Sequence, residues 1–426
     1  MKKTAILLFA AMGMMLASCS ESTPAEEPKV DDAKEDNSSN SDLDDDPRFF
    51  EYSEADKAVL NGVNDFSFKL IDLISKNYAE AVNKPDGNFV FSPVTESLML
   101  AMLANAGDAT LQSQLLNALG VDNINDLNAT SVKMMRTLPS ETSGGFLTIA
   151  NSVWALPGST ITDDYMKILS DVYNAEYGTA DFSTQQGIDL VNNWVATATK
   201  DKIRQILYKP SRDLEATWVS ALTFEGEWFD KFDKSLTSDA EFFGTKEKST
   251  VRMMHKTYSE GLAIETPKYT IAKINFSGPA DLFIVLPSEN SDIDEVIEMM
   301  KPSIFDTNFN VYKINLALPQ IDLATDMELN PVLGAMGVNP YNVKLANLQT
   351  PRSDGGKIIH FAEKSMLHID EDGASAASVA YGGEVGSDGN VHIRPTIDMT
   401  VNRPFLFFFR NQKTGNIILA GRVCNL

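Results

Sequence analysis

The sequence predicts an α+β fold, on three observations. Apolar residues at helical spacing concentrate in the first half of the 426-residue chain, and short apolar or alternating runs concentrate in the second. No linker-like stretch separates the two between Pro47 and Leu426. Helices first and strands later suit segregated layers, whereas a doubly wound parallel sheet would alternate them. Length alone would favour two domains. Yet the only Gly-rich, weakly structured run, 382–390, lies close to the C-terminus, and no internal repeat is visible. Residues 47–426 therefore read as one domain.

Val59, Val63, Phe66, Leu70, Leu73 and Ile74 give residues 55–81 a helical period. Asn88–Ser92 is short and apolar and is broken by Pro93. Leu98–Gly107 is almost wholly apolar, which predicts a helix at the centre of the fold. Leu147–Trp154 alternates as a strand does and ends at Pro157-Gly158. Thr162–Asn174 and Ile188–Leu207 read as helices, the second on Val191, Trp194, Val195, Ile203 and Leu207. Trp218–Trp228, Tyr269–Asn275, Asp281–Leu286, Val311–Leu318 and Ile397–Val401 read as strands. So do Phe405–Phe409 and Ile417–Val423, joined by a hairpin loop of turn formers from Asn411 to Gly415.

At the N-terminus, Lys2 and Lys3 precede an apolar run from Ala5 to Ala17. It is too short to span a bilayer, which takes about 20 residues. A charged start, a short apolar stretch and then small residues describe a secretory signal. Leu16-Ala17-Ser18-Cys19 resembles the lipobox of bacterial lipoproteins, in which the signal is cut before the Cys and its sulfur receives a diacylglycerol. The resemblance implies a signal peptide over 1–18 and lipidation of Cys19. The plainer alternative is an ordinary signal with an incidental Cys. Acyl chains bind membrane at about 0.8 kcal/mol per buried CH₂, so a multiply acylated Cys is a firm anchor. Cys424 would then lack a disulfide partner, and an exported chain must be stable without one. Residues 20–46 hold eleven Asp or Glu against two Lys and almost no large apolar side chain. Such a segment cannot offset its ordering entropy. Residues 19–46 are expected to be a lipidated Cys and an acidic disordered tether. The expected location is the outer membrane or outer surface of a Gram-negative cell.

The net charge of −23 argues against nucleic acid, which needs basic patches. Asp and Glu are abundant and are expected mostly on solvated surface. No G-x-S-x-G elbow, H-E-x-x-H, P-loop or Rossmann fingerprint is present. None of His255, His360, His368 and His392 has another His or a Cys at ligand spacing, so no metal or cofactor is expected.

Several stretches, in order, resemble the serpin family. Asn88-Phe89-Val90-Phe91-Ser92-Pro93-Val94-Thr95, followed by Leu98–Met102, looks like its N-x-x-F-S-P-x-S segment entering a buried helix. Asn192, Trp194, Val195, Thr199, Lys202, Ile203 and Leu207 are similar to the helix across the front of its large sheet. Thr223–Trp228 followed by Phe232 resembles its F-x-G-x-W strand end. Asn402–Phe407, then Gly415, Ile418, Leu419 and Gly421, resembles its C-terminal signature. Together they cover roughly 55–426. The resemblance implies a large mixed β-sheet with second and third sheets, about nine helices and an exposed reactive loop near 371–396. It implies a single-use inhibitor of serine proteases, elastase- or subtilisin-like enzymes first, with papain-like cysteine proteases as a second class. Such a chain needs no catalytic residue of its own and is expected to be a monomer.

The run from Glu371 to Ala380 resembles the hinge of inhibitory serpins, with Glu371, Gly373, Ala374, Ala376, Ala377 and Ser378 at its centre. Its physical logic is independent of the name. Gly373 allows unusual backbone angles, and small residues can slide between two strands. With period 2 the buried face would be Ala374, Ala376, Ser378, Ala380 and Gly382. Glu384 would also turn inward, and a buried unpaired carboxylate is costly. A flexible Ala/Ser linker is the plainer alternative. Family spacing counted from Glu371 puts the cut between Ser387 and Asp388, while counting back from Pro404 gives Ile393. The loop is thus longer than common, and Val385 and Val391 stay open beside these. Arg394 would suit a trypsin-like enzyme, but Pro395 after it usually blocks cleavage. Ser220 stands where the family usually has Asn, and Glu363 where it usually has His. Those positions normally share a hydrogen-bond network with Ser92 and Thr95 at the region where the sheet opens. Two alternatives remain: a non-inhibitory binding or chaperone-like member whose loop is only a substrate, and a lipoprotein enzyme with an unrecognised site.

Overall fold

The computed structural model describes residues 51–82, 86–339, 343–351, 358–359, 362–374 and 394–426. The expected signal, Cys19 and the expected acidic tether lie outside them, as does the segment from 375 to 393. The helices of the described residues are α1 (Glu54–Lys76), α2 (Tyr78–Ala81), α3 (Pro93–Ala106), α4 (Ala109–Leu119), α5 (Ile124–Thr137), α6 (Asp163–Asp171), α7 (Gln185–Ala198), α8 (Ile293–Met299) and α9 (Asn330–Ala335). The strands of the first half are β1 (Phe89–Phe91), β2 (Ser140–Thr142), β3 (Gly145–Ala155), β4 (Thr160–Ile161), β5 (Ala175–Thr179) and β6 (Leu214–Glu227). Then come β7 (Ser238–Phe243), β8 (Lys248–Glu265), β9 (Tyr269–Asn275), β10 (Ala280–Pro287), β11 (Asn310–Pro319) and β12 (Ile321–Glu328). The last are β13 (Leu348–Gln349), β14 (Ile358–Ile359), β15 (Ala362–Ile369), β16 (Gly373–Ala374), β17 (Thr396–Thr400), β18 (Phe405–Asn411) and β19 (Ile417–Val423).

Local chemistry starts the helices where the sequence allows. The Ser53 hydroxyl accepts from the Asp56 N–H, and Asp56 accepts in turn from the Ser53 N–H, a capping box at the head of α1. Pro93 does not merely stop the preceding run. It opens α3, because the first helical position has no partner for an N–H and loses nothing to proline. All 14 residues of α3 are buried, as its apolar composition demands. The Ile188–Leu207 helix is corrected: α7 ends at Ala198, and Lys200 and Asp201 turn the chain back at φ 50° and 63°. Asn192 then holds the returning chain. Its Oδ1 accepts from the N–H groups of Ile206 (2.9 Å) and Leu207 (3.0 Å), and its Nδ2 donates to the Leu207 carbonyl (2.8 Å). Ile203 and Leu207 are still buried, from an extended segment laid along α7.

Nine strands form one sheet in the order β1-β19-β18-β10-β9-β8-β11-β17, with β7 beside β8. The hairpin of β18 and β19 sits inside it, between β10 and β1, and Phe405, Phe407, Phe408 and Phe409 have no exposure. A second sheet runs β14-β6-β3-β2, with β5 on β3 and β16 on β6. β12 and β15 make an antiparallel pair of their own. α3 packs on β6 and on β19, so it lies between the second sheet and the C-terminal hairpin.

Candidate functional site

One edge of β6 is fully paired with β3, from Ala216 to Gly226. The other edge is held only at its ends among the described residues. β14 pairs with it in parallel at Leu214 and Ala216, and β16 pairs antiparallel at Gly226 and Glu227. Between them, from Thr217 to Glu225, its backbone faces a slot. The facing wall is β15, whose other edge is taken by β12. The cavity between the two walls measures about 340 Å³. Its floor is Ser92, Thr95, Glu96 and Met99 of the α3 entry, and its roof is Val195, Ile203 and Leu207 of α7 and the returning segment.

The two faces of β6 differ in what they touch. Trp218 donates from Nε1 to the Tyr165 hydroxyl (2.9 Å), and Leu222 and Phe224 pack on the main core, so the even positions point to the floor. Val219 packs with Trp154, Val191 and Val195 beneath α7, so the odd positions point to the roof. A strand entering the slot would meet the apolar side chains of β6 on both sides, with the polar Ser92, Thr95 and Glu96 also on the floor.

The top of the slot is tied down by three acidic residues in a row. The Trp228 indole donates to the Asp370 carbonyl (2.8 Å), and the Phe232 N–H donates to the Glu371 carbonyl (3.2 Å). Lys234 Nζ lies 2.5 Å from the Asp372 carboxylate. Glu371 is buried and accepts from the Thr237 hydroxyl (2.6 Å) and from Gln320 Nε2 (2.9 Å). Burial opposes its charge, but these two bonds, a bond from its own backbone N–H and nearby Lys234 outweigh it and hold its carboxyl below the usual range. A depressed pKa contributes stability above the ordinary carboxylate range, lost as pH falls through the folded value. Glu371→Gln should therefore cost about 1–3 kcal/mol at neutral pH. The deficit should shrink in acid, as denaturant titrations at neutral and acidic pH would show.

Gly373 completes the turn at φ 136° and starts β16. A Cβ there would meet the Gly226 carbonyl oxygen at 2.3 Å, so only glycine lets the two backbones approach. Gly373 stands opposite Glu227 and Ala374 opposite Gly226. Of the hinge residues expected from the sequence, Glu371, Gly373 and the backbone of Ala374 are thus at the mouth of the slot. Ala376, Ala377, Ser378 and the cut-site candidates Val385, Ser387, Asp388, Val391 and Ile393 lie outside the described residues. Arg394 is the first described residue beyond the loop. Its guanidinium is bound to Glu260 of β8, and the Pro395 carbonyl accepts from the Lys313 N–H (3.0 Å).

The four residues of the opening region all line the slot, and the network is only part of the expected one. The Ser92 N–H donates to Glu363 Oε1 (2.5 Å), and the Thr95 hydroxyl donates to the Ser92 carbonyl (2.9 Å). The Ser365 hydroxyl also donates to Glu363 Oε1 (2.6 Å). The Ser220 hydroxyl finds no partner among the described residues. Glu96 was not foreseen: the apolar run around it hid a carboxyl that is only 2% exposed and sits against Glu363. Glu96 and Glu371 are exceptions to the expectation that most carboxylates lie on solvated surface. Trp228, Thr237 and Gln320 also escaped notice as supports of the hinge, since each is far from it in sequence.

Residues 61–426 match the family model described as Serpin (serine protease inhibitor). Antitrypsin of Bombyx mori is 27% identical over 381 residues, covering 86% of this chain and 94% of that protein. Leukocyte elastase inhibitor of Homo sapiens is 25% identical over 366 residues, covering 80% and 93%. Among solved structures, the thermophilic serpin tengpin in its native state aligns with a TM-score of 0.75 at 24% identity, over 86% of this chain and 94% of tengpin. Human thyroxine-binding globulin, solved with its hormone, aligns with a TM-score of 0.76 at 22% identity, over 87% and 99%. At these identities the structural likeness speaks to the fold alone.

Proposed function

Because this chain belongs to the serpin family, we propose that it is a suicide-substrate inhibitor of serine endopeptidases, with papain-like cysteine endopeptidases as a second class. The observation that carries this reading is the unpaired edge of β6 with β16 already started at its top. Extended at the same register, the loop would set Ala376 opposite Phe224, Ser378 opposite Leu222, Ala380 opposite Ser220 and Gly382 opposite Trp218. These are the floor-facing positions of β6, and the loop offers no bulky or charged residue to any of them.

The protease's own nucleophile attacks the carbonyl carbon at the cut site. An ester or thioester forms, the peptide bond breaks, and the leaving nitrogen takes the proton. The freed segment then enters the slot as a strand and carries the acylated protease with it. Insertion has to outrun hydrolysis of the acyl bond. The insertion of a serpin reactive loop into its main sheet is an established instance of strand addition, in which main-chain hydrogen bonds along the new edge supply the affinity. At this register Glu384 falls opposite Ala216, the position now held by Ile359 of β14. Insertion beyond Gly383 must displace β14 and bring a carboxylate to the floor side. Glu384→Ala should therefore raise the fraction of encounters that end in a trapped complex.

The test mixes the chain lacking its signal and Cys19 with elastase-, trypsin-, subtilisin- and papain-type proteases, followed by denaturing gels and mass spectrometry of the C-terminal peptide. A band of summed mass that survives boiling, with an elastase- or subtilisin-type enzyme, is expected. The first residue of the peptide assigns the cut among Val385, Ser387, Val391 and Ile393. Clean cleavage without that band for every enzyme would instead favour the non-inhibitory binding reading, in which the loop is only a substrate.

We further propose that Cys19 carries the lipid that anchors the domain to the outer membrane or outer surface of a Gram-negative cell, through the acidic tether. Cys19→Ser should move the protein from the detergent phase to the aqueous phase on partition of whole cells. Unchanged partition would remove the anchor.

A further inference from the structure

The floor of the slot holds two carboxyl groups in contact. Glu96 comes from the first turn of α3, and Glu363 from β15, where it stands opposite Met327 of β12. They are 2% and 9% exposed. One oxygen of Glu363 takes both available donors, the Ser92 N–H and the Ser365 hydroxyl. Its other oxygen, Oε2, has no donor among the described residues, and the Glu363 carboxyl lies against that of Glu96. Two buried carboxylates in contact cannot both carry charge, so the arrangement calls for a proton held between them.

Among the described residues no cation relieves the pair. Among the described residues, the other titratable groups around the slot are Lys202, Glu225, Asp322, Lys364 and His368. Lys202 and Glu225 face each other at 2.9 Å on the roof side. Lys364 lies 3.5 Å from Asp326 and His368 lies 3.6 Å from Asp370, with Asp322 opposite His368, all on the outward side of β12 and β15. Arg422 of β19 is committed to the Gly87 carbonyl and Asp294. β1 contributes only Phe89, Val90 and Phe91, none of them titratable.

We propose that Glu96 and Glu363 act as a proton lock on the slot. A shared proton ties β15 to the head of α3 and keeps the floor dry. Its loss leaves adjacent negative charges that water must enter to solvate, and the walls part. Burial pushes both carboxyls upward; Glu363 adds to the rise at Glu96, and Glu363 itself reaches about 7 despite the bonds it shares with Glu96, Ser365 and Ser92. A raised carboxyl pKa means that the closed form holds a proton which the open, hydrated form gives up. Closure is therefore favoured at low pH and weakened as pH rises through neutrality. That loop insertion inherits this dependence rests on the inhibitory reading. The opening itself does not.

Hydrogen exchange of the full chain, read in peptides of β6 and β15 and corrected for the intrinsic pH dependence of exchange, tests this. Protection should fall by up to about tenfold per pH unit across neutrality, the limit for one coupled proton. Glu363→Gln and Glu96→Gln should flatten that slope. A wild-type slope of zero, or the same slope in Glu363→Gln, overturns the proposal. If the variants fail to fold, infrared spectroscopy of the wild type decides. A buried carboxylic-acid C=O band that titrates near neutrality supports the lock, and its absence at every pH overturns it. A titrating slope in a chain that traps no protease leaves the lock standing and removes only the inhibitory reading.

Discussion

Ala376→Asp should turn the chain from a trap into a substrate. In the register set by β16, residue 376 enters the slot opposite Phe224, whose ring meets those of Phe276 and Phe409 at 5.9 and 5.3 Å. A carboxylate pressed there has no cation to meet, and aromatic faces are themselves electronegative. The effective penalty for burying an unpaired ion is several kcal/mol, and each 1.4 kcal/mol is about tenfold in rate. Insertion should slow by at least about a hundredfold, so that hydrolysis of the acyl-enzyme overtakes it. Ala377→Asp is the control. It points to the roof, where Lys202 lies, and should cost less than about tenfold on the same scale. The fraction of protease held in the boiling-resistant band reads both variants. Equal effects at 376 and 377 would show that the register is wrong.

Gly373→Val carries the second large effect. The residue sits at φ 136°, where a β-branched side chain is an outlier, and the added Cβ would overlap the Gly226 carbonyl and the Glu227 Cα, at 2.3 and 2.7 Å. Strain of this kind costs about 1–3 kcal/mol. The loop foot must then leave β6, taking its pairing with Gly226 and Glu227. Amides from Gly226 to Trp228 should lose protection, the first denaturation transition should fall by the strain energy, and trapping should fail. Unchanged protection at those amides would mean that β16 does not need this turn.

The sequence announces the strands of the large sheet better than the surroundings of the slot. Tyr269–Asn275 and Ile417–Val423 are legible to the residue, the first from its alternation and the second from its apolar run. The buried character of α3 is equally plain. The tail of α7 is not, because Ile203 and Leu207 keep helical spacing while a left-handed turn at Lys200 and Asp201 sends them back as extended chain. β8 escapes a reading of the sequence altogether. Its Lys, Arg, His and Glu residues alternate with buried ones, but the ribbon is too polar to stand out from a loop. At the site, the small residues of the hinge point to a slot because their role is local. Glu96 gives no sign, because its significance comes from a residue far away on β15.

The position of the C-terminal strands has a further consequence. Any cut between Ala374 and Arg394 leaves β17, β18 and β19 on the downstream fragment. Yet β17 is paired with β11, β18 with β10, and β19 with β1, and the downstream piece supplies interior strands of the nine-stranded sheet. A severed molecule would remain one particle of unchanged size, joined by strand pairing, the phenylalanine core and side-chain bonds such as Arg422 to Asp294. It would migrate as a single species under native conditions and separate into two polypeptides only when that sheet is melted.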